Sequence, residues 1–152
     1  MASVAVTANE SFQAVEVLLG GRRVLRVKPQ STLDWIKVIR QGIPASAFGA
    51  MTKAINLSSS ELARTLGIPE RTLARRKREG ILSSEESAKL VRLARAVGRA
   101  NEVFEDPEAA LHWLKAPNAA LSGASPLSVL DTEIGAESVF ETLGRIEHGV
   151  YA

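Results

Sequence analysis

Residues 61–73 read Glu-Leu-Ala-Arg-Thr-Leu-Gly-Ile-Pro-Glu-Arg-Thr-Leu, and small, apolar and turn-forming residues alternate along this segment at a characteristic spacing. Ala63 is small enough to lie where two helices cross closely, and Gly67 supplies the left-handed backbone of a tight turn. The apolar residues that would fill the space between the two helices are Leu62, Leu66, Ile68 and Leu73. This spacing predicts a helix-turn-helix.

Capping sequences set the ends of the helices around this motif. Residues 58–61, Ser-Ser-Ser-Glu, form a capping box for the first helix, and Pro69 fixes the backbone at the start of the second, which Gly80 ends. Residues 83–86, Ser-Ser-Glu-Glu, form another capping box, and apolar residues at helical spacing follow it as far as Phe104. We therefore expect two short helices and then a helix of about six turns.

The sequence before residue 58 predicts further short helices. Ser31 and Asp34 cap a helix that Gly42 ends, and Pro44 begins another that runs to about Ile55. The residues expected to face inward from the first of these helices are Leu33, Ile36 and Ile39.

The first thirty residues carry weaker signals. Residues 12–19 favour a short helix that Gly20 and Gly21 interrupt, whereas residues 22–27 alternate basic with apolar side chains like a short strand. The extreme N-terminus is expected to be mobile.

Proline and small polar residues delimit helices after residue 105. Residues 106–107, Asp-Pro, open a helix that continues through Trp113 until Pro117 stops it. The Trp113 ring is expected in the core. A last helix opens at residues 132–133 and ends at Gly149. Its inward side chains are expected to be Ala136, Val139, Phe140, Leu143 and Ile146.

The composition favours an all-α fold and excludes several kinds of chemistry. Among 152 residues, 22 are alanine and seven are aromatic, a balance that suits closely packed helices better than sheets. The absence of cysteine excludes disulfides and thiolate metal sites, and two histidines leave little for an imidazole centre, so we expect neither a cofactor nor a metal. No apolar run reaches the roughly 18 residues of a spanning helix, and no signal peptide is recognisable. We expect a cytoplasmic protein without a membrane partner.

The net charge of +2 conceals a strong asymmetry. Residues 1–57 contain seven Lys and Arg against three Asp and Glu, residues 58–99 contain ten against five, and residues 100–152 contain two against nine. A basic segment suits phosphates, whereas an acidic one repels them and is better suited to contacts with protein. Two differently charged solvated surfaces would give the same pattern.

The second helix of the motif presents a basic face. Arg71, Arg75 and Arg78 recur at helical spacing, as expected for a recognition helix in the major groove of DNA. Early residues of such a helix reach base edges, and later ones hold phosphates. We expect base contacts from Arg71, Thr72 and Arg75, and phosphate contacts from Arg76, Lys77 and Arg78. The alternative is a charged solvated helix in a helical bundle.

Two other charged groups allow more than one interpretation. Arg92, Arg95 and Arg99 share one face of the long helix, where they could extend the phosphate contacts, meet an acidic partner or lie solvated. The carboxylates in residues 102–108 could form a metal or acid–base site, although Asp106 already caps a helix. No phosphate loop and no serine with an identifiable base is present, so we expect no catalytic residues.

The chain resembles the Xre/ParS/MbcA antitoxin family from about residue 32 onward. The resemblance is carried by Ala100-Asn101-Glu102-Val103-Phe104, Ala109-Ala110-Leu111-His112-Trp113-Leu114, Pro117-Asn118, Ser125-Pro126-Leu127 and residues 144–151, Gly-Arg-Ile-Glu-His-Gly-Val-Tyr. Upstream it includes residues 71–80, Leu82-Ser83 and Glu86-Ser87. The chain is thereby identified as similar to the antitoxin of a RES-Xre type II toxin–antitoxin pair.

This resemblance implies a Cro-like helix-turn-helix domain that binds operator DNA as a homodimer and represses its own operon. It also implies a small helical domain that binds and inhibits a RES-domain toxin, an enzyme that consumes NAD, while the antitoxin itself is not an enzyme. The residues that would block the toxin's active site are Arg145, Glu147, His148, Gly149, Val150, Tyr151 and Ala152.

Four segments follow from these expectations. Residues 1–30 are poorly defined, residues 31–82 form the DNA-binding domain, residues 83–104 form a linking or dimerisation helix, and residues 105–152 form the toxin-binding domain with its blocking tail. The dimer contact could lie on helices within residues 32–55 or on the long helix. Glu147 and the terminal carboxylate could occupy cationic groups of a NAD pocket. The alternatives are a stand-alone transcriptional repressor and, less favoured, a small enzyme.

Overall fold

The computed structural model describes residues 12–149, and this part of the chain is all-helical without a β-strand. It contains nine α-helices and two short 3₁₀ segments, Ala119–Leu121 and Pro126–Val129. The helices are α1 (residues 12–18), α2 (Gly21–Leu25), α3 (Thr32–Gln41), α4 (Ser46–Ile55), α5 (Ser59–Leu66), α6 (Glu70–Glu79), α7 (Ser84–Phe104), α8 (Pro107–Lys115) and α9 (Glu133–Glu147). The expected mobile N-terminus lies outside the described residues.

The chain divides into two compact units, and the division falls within α7. The N-terminal unit reaches Arg95, and the C-terminal unit begins at Ala96. No helix within residues 12–149 combines the length and the apolar character needed to cross a membrane.

The face of α3 that lies in the core differs from the sequence prediction. Ser31 caps the helix as expected, since its hydroxyl accepts a 3.1 Å hydrogen bond from the Asp34 amide. The expectation for Leu33 and Ile36 is wrong, because their side chains are 56% and 37% exposed, whereas Trp35 is 2% exposed. The Trp35 ring stacks on Phe12 of α1, with 5.8 Å between ring centroids. Because Trp35 buries more apolar surface than Leu33 or Ile36 would, α3 is rotated so that Trp35 lies in the core and the other two side chains face solvent.

The strand expected at residues 22–27 is also absent. Gly20 adopts a left-handed conformation with φ of 102°, and residues Gly21–Leu25 form the short helix α2 instead. A lone strand would leave its backbone groups unpaired, whereas the helical turn pairs the Arg26 amide with the Arg22 carbonyl at 2.8 Å. Leu25 from this turn is buried in the N-terminal unit.

Backbone contacts fix the end of α6 against the turn between α3 and α4. The Ala45 amide donates to the Gly80 carbonyl at 3.0 Å, and the Leu82 amide donates to the Ile43 carbonyl at 2.9 Å. The buried Ser87 hydroxyl of α7 accepts a 2.8 Å hydrogen bond from the Ile43 amide. These bonds hold α6 in place while its exposed face stays available.

The C-terminal unit packs α8 and α9 around the segment Pro126–Val129. Asp106 caps α8 and Thr132 caps α9, as their sequences predict. A Cβ at Gly135 would overlap the Val129 carbonyl. Glycine at this position therefore lets α9 approach the segment more closely than a residue with a side chain would allow. The buried apolar side chains of the unit include Leu114, Leu130, Ala136, Val139 and Leu143.

Three aromatic and aliphatic side chains of this unit are less buried than the sequence suggests. Trp113 is half-buried and packs against Phe104 with 5.7 Å between ring centroids. Phe140 and Ile146, expected to face inward from α9, are also half-buried. The core of the unit is therefore formed mainly by aliphatic residues.

Candidate functional sites

The helix-turn-helix predicted from residues 61–73 is present. The Ser58 hydroxyl accepts a 3.1 Å hydrogen bond from the Glu61 amide and starts α5, and Gly67 ends it with a left-handed φ of 69°. The turn is closed by the Ile68 amide, which donates to the Ala63 carbonyl at 2.8 Å. The residues buried between the two helices are those predicted: Leu62, Ala63, Leu66, Ile68 and Leu73.

The start of α6 is joined to α5 by a polar contact. The Ser60 hydroxyl donates a short hydrogen bond to the Glu70 carboxylate. Glu70 also lies in the first turn of α6, where the helix dipole favours a negative charge. The two helices of the motif are thus held together by apolar packing, by this hydrogen bond and by a 3.5 Å hydrogen bond from the Lys77 ammonium to the Ser59 hydroxyl.

The basic face of α6 is exposed at most of the positions singled out by the sequence. Arg71, Arg75, Lys77 and Arg78 are exposed, and Thr72 is half-buried. Arg75 lies 3.7 Å from the Glu79 carboxylate, but both side chains remain open to solvent, so this pair is a weak constraint. The helix can present several cations and one hydroxyl to an anionic surface.

Arg76 differs from its neighbours because its guanidinium is used within the unit. Its Nε donates to Oε1 of Glu86 at 2.7 Å, and its side chain is only 20% exposed. Glu86 belongs to the predicted capping box of α7: its carboxylate accepts from the Ser83 amide at 2.8 Å, and its amide donates to the Ser83 hydroxyl at 3.1 Å. We name this contact between α6 and α7, formed by Arg76, Ser83 and Glu86, the recognition-helix clamp.

Electrostatics favour the charged form of the clamp. Burial of the Glu86 carboxyl acts to raise its pKa, but the hydrogen bonds from Arg76 and Ser83 outweigh burial and hold the pKa below its usual value. The hydrogen bond to Glu86 raises the pKa of Arg76. Both groups are therefore ionised throughout the neutral range.

A second arginine, Arg99 of α7, contacts the end of α9. Its two terminal nitrogens donate to the two carboxylate oxygens of Glu147, each at 2.8 Å. The same guanidinium donates to Glu102 at 3.1 Å. The hydrogen bond from Arg99 is the main cause that holds the pKa of Glu147 below its usual value. We name the pair of Arg99 and Glu147 the α9 latch.

The arginines at positions 92, 95 and 99 do not form one uniform solvated stripe. Arg92 is half-buried, the Arg95 guanidinium lies 5.6 Å from the centroid of the Phe12 ring, and Arg99 forms the latch. Neither contact was predicted, because each depends on residues far away in sequence.

The residues expected to block a toxin lie at and after the end of α9. Arg145, His148 and Gly149 are exposed, whereas the Glu147 carboxylate is paired with Arg99. The remaining three, Val150, Tyr151 and Ala152, lie outside the described residues. Arg145 and His148 thus flank a carboxylate that already has a partner.

The acidic cluster at residues 102–108 does not assemble a metal site. Within residues 12–149, no group of three or more His, Asp or Glu side chains is placed to hold a metal ion. Glu102 contacts Arg99, and the Asp106 carboxylate caps α8 by accepting from the Glu108 amide at 3.1 Å. The carboxylates of Glu102 and Asp106 therefore have structural partners.

Comparison with protein families divides the chain in the same two parts. Residues 34–95 match a family model described as the antitoxin Xre-like helix-turn-helix domain. Residues 99–149 match the antitoxin Xre/MbcA/ParS C-terminal toxin-binding domain. The first match contains the exposed basic helix α6, and the second contains both residues of the α9 latch.

Individual relatives carry related names. The chain is 34% identical over 116 residues to the antitoxin Xre of Yersinia enterocolitica, an alignment that covers 75% of this chain and 78% of the relative. It is 31% identical over 115 residues to the antitoxin Xre of Photorhabdus laumondii, covering 74% and 78%. A Prs ADP-ribosylating antitoxin of a Sphingobium species is 29% identical over 132 residues, covering 80% and 83%.

Proposed function

This chain belongs to the Xre/MbcA/ParS antitoxin family, and on that premise we propose two functions for it. The chain inhibits a RES-domain toxin, which is an enzyme that consumes NAD. As a DNA-bound homodimer, the chain also represses its own operon. The two family matches, over residues 34–95 and 99–149, are the observation that carries the proposal. The antitoxin acts by binding, without catalysis of its own.

The DNA-binding half of the proposal is supported by the chemistry of α6. Arg71, Thr72 and Arg75 occupy its first turns, from which a recognition helix reaches base edges in the major groove. Lys77 and Arg78 are exposed further along, where they suit phosphate contacts. Arg76 shares this part of the helix, but we assign it mainly to holding α6 against α7 through the recognition-helix clamp.

The homodimer is supported by the need for two half-sites and by an apolar surface on α3. A single small helix-turn-helix reads too few base pairs for high specificity. Leu33 and Ile36 are exposed on one face of α3, whereas most apolar side chains of α7 are buried within the single chain. This contrast favours α3 over α7 as the dimer contact. Sedimentation at micromolar concentration should then show dimers, and monomers alone would oppose the proposal.

The toxin-binding half is supported by charge and by the relatives. Residues 100–152 contain two Lys and Arg against nine Asp and Glu, which suits a cationic pocket that binds a dinucleotide. ADP-ribosylation, named in the Sphingobium relative, is a chemistry that uses NAD as the donor. We assign Arg145, His148, Gly149 and residues 150–152 to the surface that covers the toxin's active site.

The experiment isolates protein partners from the source cells at high salt with the full chain and with a variant that lacks residues 150–152. Each bound partner is then assayed for NAD consumption. The full chain should retain an inactive enzyme, and the shortened chain should retain the same enzyme in a more active form. The shortened chain keeps α9 and the α9 latch. We therefore expect it to fold like the full chain, so that a difference in inhibition can be assigned to the removed residues.

Two other results would overturn parts of the proposal. If no protein partner is retained while DNA binding persists and weakens with salt, the chain is a stand-alone repressor. If an enzyme is retained and stays equally inhibited without residues 150–152, inhibition does not depend on this segment.

A further inference from the structure

The recognition helix α6 is anchored by little apolar packing of its own. Among residues 70–79, all of which the structure describes, Leu73 is the one buried side chain. The ends of the helix are held by the hydrogen bond between Ser60 and Glu70 and by the backbone bond at Gly80. The rotation of a helix about its axis is normally set by rows of side chains that pack into its neighbours. One buried leucine constrains this rotation weakly, so polar contacts must contribute to it.

Arg76 supplies such a contact through the recognition-helix clamp. It lies three positions after Leu73, on the same side of α6, and its Nε donates to Oε1 of Glu86 at 2.7 Å. The same carboxylate oxygen accepts from the Ser83 amide at 2.8 Å, so the capping box of α7 orients the carboxylate independently of Arg76. Leu73 and Arg76 together attach one side of α6 at two points.

The rotation of α6 decides whether its exposed side chains can read bases. A helix with its side chains has a radius of about 5–6 Å, so a rotation of about 20° moves the outer atoms by about 2 Å. Hydrogen bonds to a base edge do not survive this displacement, because their donor–acceptor distances vary by only about 0.5 Å. The attraction of a cation to phosphates falls gradually with distance and persists. Loss of a fixed rotation should therefore reduce sequence preference more than overall attraction to DNA.

We propose that Arg76 is a positioning residue for base readout, which acts through Glu86 to fix the rotation of α6 about its axis. This inference rests on the DNA-binding half of the proposed function and replaces the expectation that Arg76 holds a phosphate. The contacts that it positions are those assigned to Arg71, Thr72 and Arg75. Because the helix is already oriented before DNA binds, less freedom is lost on binding.

The test compares specific and non-specific DNA binding in variants that remove the clamp from either side. Glu86→Gln keeps the side-chain size but removes the charge, and Arg76→Ala removes the guanidinium. Glu85→Gln is the matched control, since it removes the neighbouring charge from an 83% exposed side chain. Each full-length variant is titrated with a duplex of the promoter of its own operon and with an unrelated duplex of equal length, over a range of salt concentrations. Circular dichroism checks that each variant is folded at the temperature of the titration.

The clamp variants should lose sequence preference selectively. Glu86→Gln should lower the preference for the promoter duplex by about tenfold, as expected for the loss of one base contact, and should change binding to the unrelated duplex by less than about twofold. Arg76→Ala should lower the preference similarly and change the slope of log K against log salt by less than about 0.5, whereas loss of a phosphate contact lowers it by about 1. Glu85→Gln should leave the preference unchanged.

The direction of the Glu86→Gln effect separates positioning from phosphate binding. If Arg76 held a phosphate, Glu86 would compete with DNA for the same guanidinium, and Glu86→Gln would strengthen binding to both duplexes. If Arg76 positions α6, the same substitution weakens binding to the promoter duplex. The double variant should then lose no more preference than either single variant, because both substitutions break one contact.

Three results would overturn the inference. Stronger binding by Glu86→Gln, together with a lower salt slope in Arg76→Ala, would make Arg76 a phosphate contact. Equal losses on both duplexes would show that the clamp only stabilises the fold. If the unaltered chain shows no preference for the promoter duplex, the DNA-binding half of the proposed function fails, and this inference fails with it.

Discussion

The recognition-helix clamp and the α9 latch both pair an arginine with a glutamate from another helix or helix end, but their surroundings differ. Glu86 in the clamp has an 11% exposed side chain and also caps α7. Glu147 in the latch has a 39% exposed side chain and lies in the last turn of α9. Similar ion pairs therefore occur in two different settings: the clamp is mostly buried and joins α6 to α7 within one unit, whereas the latch is partly exposed and joins α7 to the last turn of α9.

Breaking the clamp should have the largest effect on stability. Glu86→Ala removes the partner of Arg76 and half of the capping box with Ser83, so we expect the free energy of unfolding to fall by about 2 kcal/mol. Urea denaturation measures this loss. Glu85→Ala is the control, because Glu85 is 83% exposed and its pair with Lys89 spans 3.9 Å. Equal losses in the two variants would show that the clamp is not structural.

Removing an exposed cation next to the clamp should weaken DNA binding and leave the stability of the fold unchanged. We expect Arg75→Ala to weaken specific DNA binding by roughly tenfold and to leave the unfolding midpoint unchanged, because the 3.7 Å ion pair of Arg75 with Glu79 is open to solvent on both sides. Binding to operator and to unrelated DNA is measured over a range of salt concentrations. Lys53→Ala removes an exposed cation of α4 as the control. A comparable loss in the control would argue against a base contact by Arg75.

The two carboxylates should make stability depend on pH in the acid range. Both have a folded pKa below the ordinary value of 4.5. A carboxyl with a lowered folded pKa adds stability above its unfolded pKa and loses it as pH falls through the folded pKa. We therefore expect urea midpoints to be constant near neutrality and to fall below about pH 4.5. Glu86→Gln should flatten this fall, and an unchanged slope would contradict the role of Glu86.

The smallest effect on stability should come from the latch. Glu147→Gln should lower the free energy of unfolding by less than about 1 kcal/mol, because a partly exposed ion pair is screened by solvent. Differential scanning calorimetry of the variant and of Glu141→Gln measures the difference. A loss as large as that of Glu86→Ala would remove the distinction between clamp and latch.

Local signals predicted most helix boundaries correctly. The Ser58 and Ser83 caps, the Gly67 turn and the Asp106 cap are all formed by residues within four positions of one another. Such contacts depend on backbone geometry that the local sequence sets, so they can be inferred from spacing.

Long-range contacts could not be predicted in the same way. The orientation of α3 depends on Phe12 stacking on Trp35, and helical periodicity alone does not choose between its two apolar faces. The clamp joins residues ten positions apart across the end of α6, and the latch joins residues 48 positions apart. The charge pattern showed that arginines occur at these positions, but it did not identify their partners, because tertiary packing brings the partners near.

The assignment of residues 71–78 and 145–152 to DNA and toxin stays a prediction. The structure places Arg71 and Arg75 on an exposed helix face and shows that Arg76 and Glu147 already have partners. These two pairings make Arg76 and Glu147 weaker candidates than their exposed neighbours for contacts with DNA or toxin, because a side chain held within its own unit has less freedom to bind another molecule.

The most direct measurement is a titration of the cognate toxin with the full chain while NAD consumption is followed. We expect NAD consumption to fall to background when the antitoxin reaches a fixed stoichiometric ratio, and we expect the variant without residues 150–152 to need a large excess to approach the same inhibition. NAD consumption that continues unchanged at saturating antitoxin would contradict the central claim that this chain inhibits an NAD-consuming enzyme.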